Sequence, residues 1–272
     1  CAPAASRCSA STTRHRRIEE GKRELGEKTS YGVVEDTFVI FGEPTFNDGG
    51  FKSSIALVKQ TLAAYFNKRF GTRPSEAISV YLFWSKPTYD AYCQKTWHEP
   101  CLSIFGFFRP QERRIVMNAA PGLGTLTHEL VHPIVETDFP NAPTWVNEGI
   151  ASLFEAPAIT RPGEIHGVKN WRLPRLRTAL ASQKPTEKSA RDLDHLFTIS
   201  DETFRGTDED LNYATARYFC QWMDERGLLW RFYQTWRDGQ STGMTAQMAF
   251  TSVTGESTGD ASAKWVRWVG AL

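Results

Sequence analysis

The chain has 272 residues, a hydrophobic fraction of 40% and a formal net charge of +1 at pH 7. A chain of this length and composition can bury a sizeable core as one large domain or two lobes. The nearly balanced charge gives no bulk attraction to nucleic acid or to an acidic membrane surface, so no nucleic-acid partner is expected. No apolar run reaches the roughly 20 residues that a membrane-spanning helix needs.

Residues 1–30 are rich in Ala, Ser, Arg, Lys and Glu and poor in large apolar side chains. Such a composition cannot bury enough apolar surface to order itself, which predicts a disordered N-terminal tether over residues 1–30. The sequence begins at Cys1, followed by small and polar residues, and in this it resembles a bacterial lipoprotein after cleavage of its signal peptide. This interpretation implies a lipid anchor at Cys1 and an extracytoplasmic location, whether membrane-anchored, periplasmic or secreted. A fragment that happens to begin at this residue is the alternative.

Residues 31–160 alternate between strand and helix patterns, which predicts a lobe with a sheet backed by helices. The pattern predicts strands at 37–41, 78–83, 104–108 and 114–117, and helices at 53–70 and 89–97. The last two strands are predicted to form a hairpin that turns at residues 110–112. Pro121 and Gly124 then break the chain before the next helix.

Two cysteines bracket a short loop in this lobe. A disulfide between Cys93 and Cys101 could close the loop in an oxidising compartment. No Cys-x-x-Cys pair occurs in the sequence, so an all-cysteine zinc site is not expected. Cys220 lies in an apolar helical pattern and is predicted to be a small buried hydrophobic residue.

Residues 161–272 show helical patterns throughout and are predicted to form a second, helical lobe. The predicted helices are 172–182, 192–199, 211–226, 228–237, 245–252 and 261–270. A lobe of this kind would close the far wall of a cleft, so a functional site is expected between the two lobes.

Residues 124–132 contain the pattern His-Glu-x-x-His at His128, Glu129 and His132. In a helix, residues four apart differ by about 40° around the axis, so both imidazoles leave the same face and can close on one ion. Glu129 lies about 100° around from His128, where its carboxylate can reach a water at the metal without becoming a ligand. The pattern predicts a zinc site with two His ligands and a Glu general base. A helix that carries two unrelated histidines is the alternative.

A third ligand is predicted at Glu148, because a catalytic zinc usually has three protein ligands and one open position. Apolar residues at helical spacing surround Glu148 over 145–154, and Pro143 suits the start of a helix. A carboxylate on a largely buried helix face needs a partner, and an ion held by His128 and His132 would supply one. A carboxylate that answers a helix dipole, or one half of an ion pair, is the alternative.

The pattern His128-Glu-Leu-Val-His132, followed by Trp145-Val-Asn-Glu148-Gly-Ile-Ala, resembles the gluzincin zinc metallopeptidases. The second segment is similar to that of the aminopeptidase-N family. It is more similar still to the small peptidase MA-like domains of uncharacterised bacterial secreted proteins and lipoproteins. Residues 103–155 carry most of the likeness, and a weaker likeness runs from residue 212 to the end. The resemblance implies an α+β, zincin-like fold of the thermolysin type, with a small mixed sheet, an active-site helix and an all-helical second lobe.

The resemblance also implies a ligand set and an activity. One Zn²⁺ per chain would be held by His128, His132 and Glu148, with Glu129 as the general base in the hydrolysis of a peptide or protein substrate. Gluzincins commonly supply a Tyr or His from the helical lobe to stabilise the oxyanion of the tetrahedral intermediate. Tyr213 is the candidate for this role.

Two further expectations concern Arg217 and the strand before the predicted metal helix. Arg217, one turn after Tyr213, is expected to face the same way, although Tyr213 as a packing residue is the alternative. In gluzincins the edge strand before the metal helix binds extended substrate by strand addition. By analogy, residues 116–120 are the candidate, with an ordinary sheet strand as the alternative.

The sequence also departs from the family pattern. No Gly-x-Met-Glu-Asn segment lies upstream, and the spacing to Glu148 is shorter than in the aminopeptidases, so aminopeptidase specificity is not implied. Ser152 stands four residues after Glu148, where thermolysin-like enzymes carry an Asp, which leaves open what orients the ligand histidines. Two other functions remain as alternatives. One is a non-catalytic zincin-fold surface lipoprotein that binds a partner, and the other is a metal hydrolase of cell-wall or other amide bonds.

Overall fold

The computed structural model describes the backbone of residues 4–272 and the side chains of residues 12–184 and 186–272. The candidate lipid anchor at Cys1 lies outside the described residues. Helices and a small mixed sheet make up the chain, so its class is α+β, as the sequence predicts. Among the described residues, none of the helices is both long enough and apolar enough to cross a membrane.

Five strands in the first half of the chain form the main sheet. They are β1 (Ser30–Val34), β2 (Phe38–Gly42), β3 (Ile78–Phe83), β4 (Gly106–Arg109) and β5 (Arg114–Asn118). Their order across the sheet is β1-β2-β3-β5-β4. The two outer pairs are antiparallel hairpins, and β3 runs parallel to both β2 and β5. A second, two-stranded sheet pairs β6 (Pro157–Ala158) with β7 (His166–Gly167), which the sequence did not predict.

Thirteen α-helices are described, and six of them precede β6. These six are α1 (Ala4–Leu25), α2 (Asp48–Tyr65), α3 (Lys86–Trp97), α4 (Gly124–Glu129), α5 (Val131–Asp138) and α6 (Thr144–Leu153). The others are α7 (Leu173–Ala181), α8 (Leu193–Thr198), α9 (Asp201–Phe204), α10 (Glu209–Glu225), α11 (Leu229–Gly239), α12 (Ala246–Thr254) and α13 (Thr258–Ala271). Short 3₁₀ turns occur at Pro185–Arg191 and Gln240–Thr242.

The two faces of the sheet are buried by different helices. On one face, side chains such as Phe41, Tyr81 and Val116 form a cluster that α1 and α3 cover. On the other face, alternate residues such as Ile115 and Met117 belong to a larger cluster that includes α2 and α4–α6. This second cluster continues without interruption into the C-terminal helices. The two lobes predicted for residues 31–160 and 161–272 therefore share one core.

The prediction of a disordered tether over residues 1–30 is wrong for the part that packs on the sheet. Helix α1 places Ile18 and Leu25 against the smaller cluster. Its Gly21 lies so close to Phe41 that an added Cβ would be 2.3 Å from the ring. Arg114 on β5 donates to both carboxylate oxygens of Glu24, each at 2.9 Å. Composition could not reveal this helix, because the residues that order it lie far along the chain.

The predicted pairing of Cys93 and Cys101 is present as a disulfide. It joins the end of α3 to the chain just before β4. Cys220 is a buried free thiol, as predicted. The disulfide therefore fixes the segment that leads into β4, next to the cavity described below.

Helix α10 packs along α6, and a glycine permits their close approach. A Cβ added at Gly149 would lie 3.0 Å from the carbonyl oxygen of Ala216 and 3.0 Å from the sulfur of Cys220. Nearby, Trp145 of α6 is buried and stacks on Phe197 and Trp236. The helix that carries Glu148 is thus held firmly against the C-terminal helices.

Candidate metal centre

The sequence predicts one continuous helix for the His-Glu-x-x-His segment. The structure has two helices instead, which meet at Leu130. Pro133 has no N–H to donate to the carbonyl of Glu129, which interrupts the ladder of helical hydrogen bonds at this point. Leu130 keeps a right-handed helical conformation, with φ −66° and ψ −23°. The path of the chain therefore continues, and the rings of His128 and His132 lie together with their centroids 4.9 Å apart.

Helix α6 brings Glu148 to these two rings. Its Oε2 atom lies 3.5 Å from Nε2 of His128 and 4.0 Å from Nε2 of His132. The Glu148 side chain is buried, and its Oε2 accepts no hydrogen bond from any residue that the structure describes. A buried carboxylate oxygen without a partner is costly unless something binds it. One oxygen and two imidazole nitrogens therefore face each other at the floor of the site.

These donor atoms fit a zinc ion. Zinc–ligand distances of about 2.0–2.2 Å in a tetrahedron place the donor atoms about 3.3–3.6 Å apart, and the Glu148 contacts lie at or slightly above this spacing. In the part of the chain with described side chains, His128, Glu129 and His132 form a group whose potential ligand atoms lie within 4.8 Å of one another. The donor set of two nitrogens and one oxygen suits a catalytic rather than a closed structural zinc site.

Glu129 lies beside the candidate ligands. Its Oε2 is 3.8 Å from Nε2 of His132, and the side chain is buried. Burial raises the pKa of Glu129, and the charges of His128 and His132 oppose that rise only in part. A carboxylate with a raised pKa next to a metal position is suited to accept and return a proton.

Two side chains that the sequence analysis did not identify contact the other nitrogens of the candidate ligands. The Nδ1 atom of His132 lies 3.0 Å from Oδ1 of Asn147. Because an amide oxygen can only accept, His132 donates from Nδ1 and leaves Nε2 free. The Nδ1 atom of His128 lies 3.4 Å from Oε1 of Glu155, a charge contact without the geometry of a hydrogen bond. Outer contacts of this kind fix the orientation of metal-binding imidazoles.

Glu155 lies beyond the end of α6 and is held by Arg172. The Nε and Nη2 atoms of Arg172 donate to its two oxygens at 2.9 and 2.6 Å. The sequence left open which residue orients the ligand histidines, because Ser152 stands where thermolysin-like enzymes carry an Asp. Ser152 is fully buried, and Glu155 is the residue that faces His128 instead. The position of Asn147, directly before Glu148, was a usable sequence signal. Helical spacing could not have identified Glu155, because it follows the last helical turn.

The carboxylates around His128 dominate the electrostatics of the site. Burial lowers the pKa of His128, but Glu148, Glu155 and Glu129 outweigh it and raise that pKa to about 10. Burial raises the pKa of Glu155, whereas His128 and Arg172 together lower it to about 2. For Glu148 burial is likewise outweighed by the charges around it, and its pKa falls well below the usual range. The carboxylates thus favour a positive charge on His128 itself.

Tyr213 lies on α10 and lines the same cavity as Glu148. Its hydroxyl accepts a hydrogen bond from Nη1 of Arg205 at 2.6 Å. Burial, together with the charge of Glu148, raises the pKa of Tyr213, so its hydroxyl keeps a proton that it can donate. The expectation for Arg217 is wrong. It is fully buried and donates to Gln221 and to the carbonyl of Val168, because its side chain points into the core behind α10.

All five predicted site residues line one cavity of about 790 Å³. They are His128, Glu129, His132, Glu148 and Tyr213. The opposite wall includes Phe105 and Phe108, from the chain around β4. The prediction that residues 116–120 form an edge strand is wrong, because β5 pairs on both sides, with β3 and β4. In the sheet formed by the described residues, β4 is the strand at this edge.

Comparison with known proteins adds one finding. A family model with the description "Protein of unknown function (DUF1570)" matches residues 122–235. The matched stretch contains the helices that carry the candidate ligands, together with Arg172, Arg205 and Tyr213. No curated protein matches the chain. The comparisons thus give a family likeness for the candidate site and no activity for it.

Proposed function

We propose that the protein is a zinc-dependent peptidase of the gluzincin type, with a zincin-like arrangement of its sheet and helices. The observation that carries this proposal is the unpartnered Oε2 of Glu148, 3.5 and 4.0 Å from the Nε2 atoms of His128 and His132. These three residues would hold one zinc ion per chain. The order of elements supports the fold assignment: an edge hairpin, the metal helix, a second ligand helix and then a helical segment.

The residues around the ligands support a hydrolytic mechanism. Zinc, when bound, would act as a Lewis acid and lower the pKa of a coordinated water towards about 7. Glu129 would take the proton from the attacking water and deliver it to the leaving amine. Tyr213, which keeps its proton, would donate a hydrogen bond to the oxyanion as the carbonyl becomes tetrahedral. Asn147 and Glu155 would hold the two ligand imidazoles in place.

The shape of the cleft supports an extended peptide as substrate. Strand β4 borders the cavity, and a strand at a sheet edge can pair with an added peptide through its main chain. The segment before β4 exposes three large apolar side chains, Leu102, Ile104 and Phe105. Its main chain is braced, since Tyr89 donates to the carbonyl of Ser103 at 2.7 Å and Asn118 donates to that of Ile104 at 3.1 Å. A rigid segment with exposed apolar side chains is suited to bind apolar substrate residues.

The Cys93–Cys101 disulfide supports the proposed extracytoplasmic location. Disulfides persist in oxidising compartments and are rare where thiols are kept reduced. Mass analysis of the protein isolated from its native cell fractions, with and without reductant, would test this proposal. Reduced cysteines in the native protein would contradict it.

Metal content is the decisive test of the proposed function. We expect about one zinc per chain in the wild type, and none in His132→Ala or Glu148→Ala, because each of these variants loses a ligand. His166→Ala is the matched control, since His166 is 54% exposed in its side chain and lies outside the cavity. Zinc-loaded wild type should then cleave members of a mixed peptide pool, and Glu129→Gln should not. A wild type that binds no zinc after reconstitution would contradict the proposal.

A further inference from the structure

Arg205 connects two residues of the candidate site that lie on different helices. Its Nη2 atom donates to Oε1 of Glu148 at 2.5 Å, and its Nη1 atom donates to the hydroxyl of Tyr213 at 2.6 Å. The guanidinium also lies against the Tyr213 ring, 5.6 Å from its centroid. One planar group therefore bridges a candidate zinc ligand and the candidate oxyanion donor.

We propose that Arg205 is a positioning residue that makes Glu148 a one-oxygen ligand and ties the Tyr213 hydroxyl to the same carboxylate. This inference rests on the proposed function. With Oε1 engaged by Arg205, Oε2 is the oxygen left to face the two imidazoles. The rigid fork of a guanidinium can hold two acceptors in a fixed geometry, which the single ammonium of a lysine cannot do.

The backbone presents Arg205 to the site independently of these contacts. Asp201 accepts a hydrogen bond from the backbone N–H of Thr144 at 2.9 Å, which joins α9 to the first turn of α6. The side-chain amide of Asn212 donates to the carbonyls of Thr203 and Phe204, directly before Arg205. The segment is therefore anchored to both α6 and α10, and the side chain of Arg205 spans the gap between them.

Arg205 pairs with Glu148, and the nearby Arg172 cannot replace it because Arg172 already pairs with Glu155. Glu129, Glu148 and Glu155 bring three carboxylates into one buried region. Arg172 is engaged by both oxygens of Glu155. Arg205 supplies the corresponding cation for Glu148, with a contact to Glu209 at 3.4 Å as a further, more exposed ion pair.

The test compares zinc affinity and turnover in Arg205→Met, Arg205→Lys and Tyr213→Phe. Arg161→Met is the matched control, because Arg161 also holds a glutamate, Glu164, at 2.6 Å but lies on the surface. Competition with a chromophoric chelator should show zinc affinity about tenfold weaker in Arg205→Met, the loss typical of removing an outer partner of a metal ligand. Tyr213→Phe and the control should keep wild-type affinity.

Two further readouts separate positioning from general stability. Cobalt-substituted Arg205→Met should show weaker visible absorption than the wild type, because a carboxylate free to bind through both oxygens raises the coordination number. In the double variant of Arg205→Met and Tyr213→Phe, kcat should fall by less than the product of the two single-variant losses. The reason is that Arg205 is proposed to act through Tyr213. Arg205→Lys should recover part of the zinc affinity and little of kcat.

The outcomes distinguish this inference from the proposed function. Wild-type zinc affinity and an unchanged cobalt spectrum in a folded Arg205→Met would overturn the role of Arg205 while leaving the metal site intact. Equal losses of zinc affinity in Arg205→Met and Arg205→Lys, with multiplicative effects on kcat, would overturn it as well. A wild type that binds no zinc would overturn the proposed function and this inference together. A Glu148→Ala variant that keeps its zinc would do the same.

Discussion

Two groups of buried and partly buried charged residues lie on opposite faces of the sheet, and they differ in how completely protein groups satisfy their carboxylates. Under α1, both oxygens of Glu24 accept hydrogen bonds from Arg114, and Tyr92 adds a third at 2.7 Å. At the candidate site, the buried Oε2 of Glu148 lacks a hydrogen-bond partner among the described residues. The carboxylate of the first group has protein partners on both oxygens, whereas that of the second opens onto a cavity.

The difference separates a structural network from a site that needs a ligand. A carboxylate that accepts hydrogen bonds on both oxygens is satisfied by protein alone. A buried carboxylate oxygen that faces two imidazoles and a cavity is placed to accept a bound cation. The unpartnered carboxylate oxygen and the cavity distinguish the second group.

The largest expected effect is the loss of kcat when the proposed general base, Glu129, is replaced. Glu129→Gln keeps the shape of the side chain and removes the group that accepts the proton, so kcat should fall by about a thousandfold or more. Zinc content should stay at the wild-type level, because Glu129 is not a proposed ligand. Initial rates on a cleaved peptide, with zinc measured on the same samples, would check this. Glu76→Gln, with a side chain 57% exposed, is the control, and turnover that survives Glu129→Gln would contradict the mechanism.

A pH dependence of stability is the next largest effect, and it should be specific to the site. The pKa of Glu155 is about 2 in the folded chain, against about 4.3 when unfolded. This carboxylate therefore contributes stability above about pH 4.3, and loses that contribution as pH falls through its folded pKa, for a total of up to about 3 kcal/mol. Urea unfolding between pH 6 and 3, with chelator present, should show a steeper loss for the wild type than for Glu155→Gln. Parallel curves for the two proteins would contradict the assignment.

Removing a cation from the closed network should affect stability alone. Arg114→Met leaves Glu24 without its main partner, and because Glu24 is partly exposed we expect a loss of about 2 kcal/mol. Zinc affinity and kcat should stay unchanged, since this group lies on the other face of the sheet. Chemical denaturation with and without zinc would measure the loss, and a coupled change in zinc affinity would show that the two groups are not independent.

The smallest expected effect concerns the hydrogen bond to His132. Asn147→Ala removes the acceptor that holds Nδ1, and zinc affinity should fall by about tenfold, or about 1.4 kcal/mol. Chelator competition would measure it. Asn147→Asp keeps an acceptor at this position and should retain most of the affinity. Identical affinities in the wild type and in Asn147→Ala would show that the contact plays no part in metal binding.

The sequence predicted the centre of the site better than its surroundings, for a physical reason. His128, Glu129 and His132 are close in sequence, so local helical spacing determines how their side chains meet. Glu148 was identified by its burial pattern on the next helix, which packing brings to them. Glu155, Arg172 and Arg205 reach the site from a helix end or from loops, and only tertiary packing brings them there. The same reason accounts for α1, whose order depends on Arg114 and Tyr92. Helix α2 begins before the predicted residue 53 because Asn47 caps its first turn, accepting from the N–H of Gly50 at 2.7 Å.

The close packing at Gly149 has a mechanical consequence for the cleft. Because the backbones of α6 and α10 touch there, Glu148 and Tyr213 lie on one stiff block, and neither helix can tilt without the other. Any opening of the cavity has to separate this block from the chain around β4. The distance between the candidate metal site and Tyr213 is then set when the chain folds, before any ligand binds.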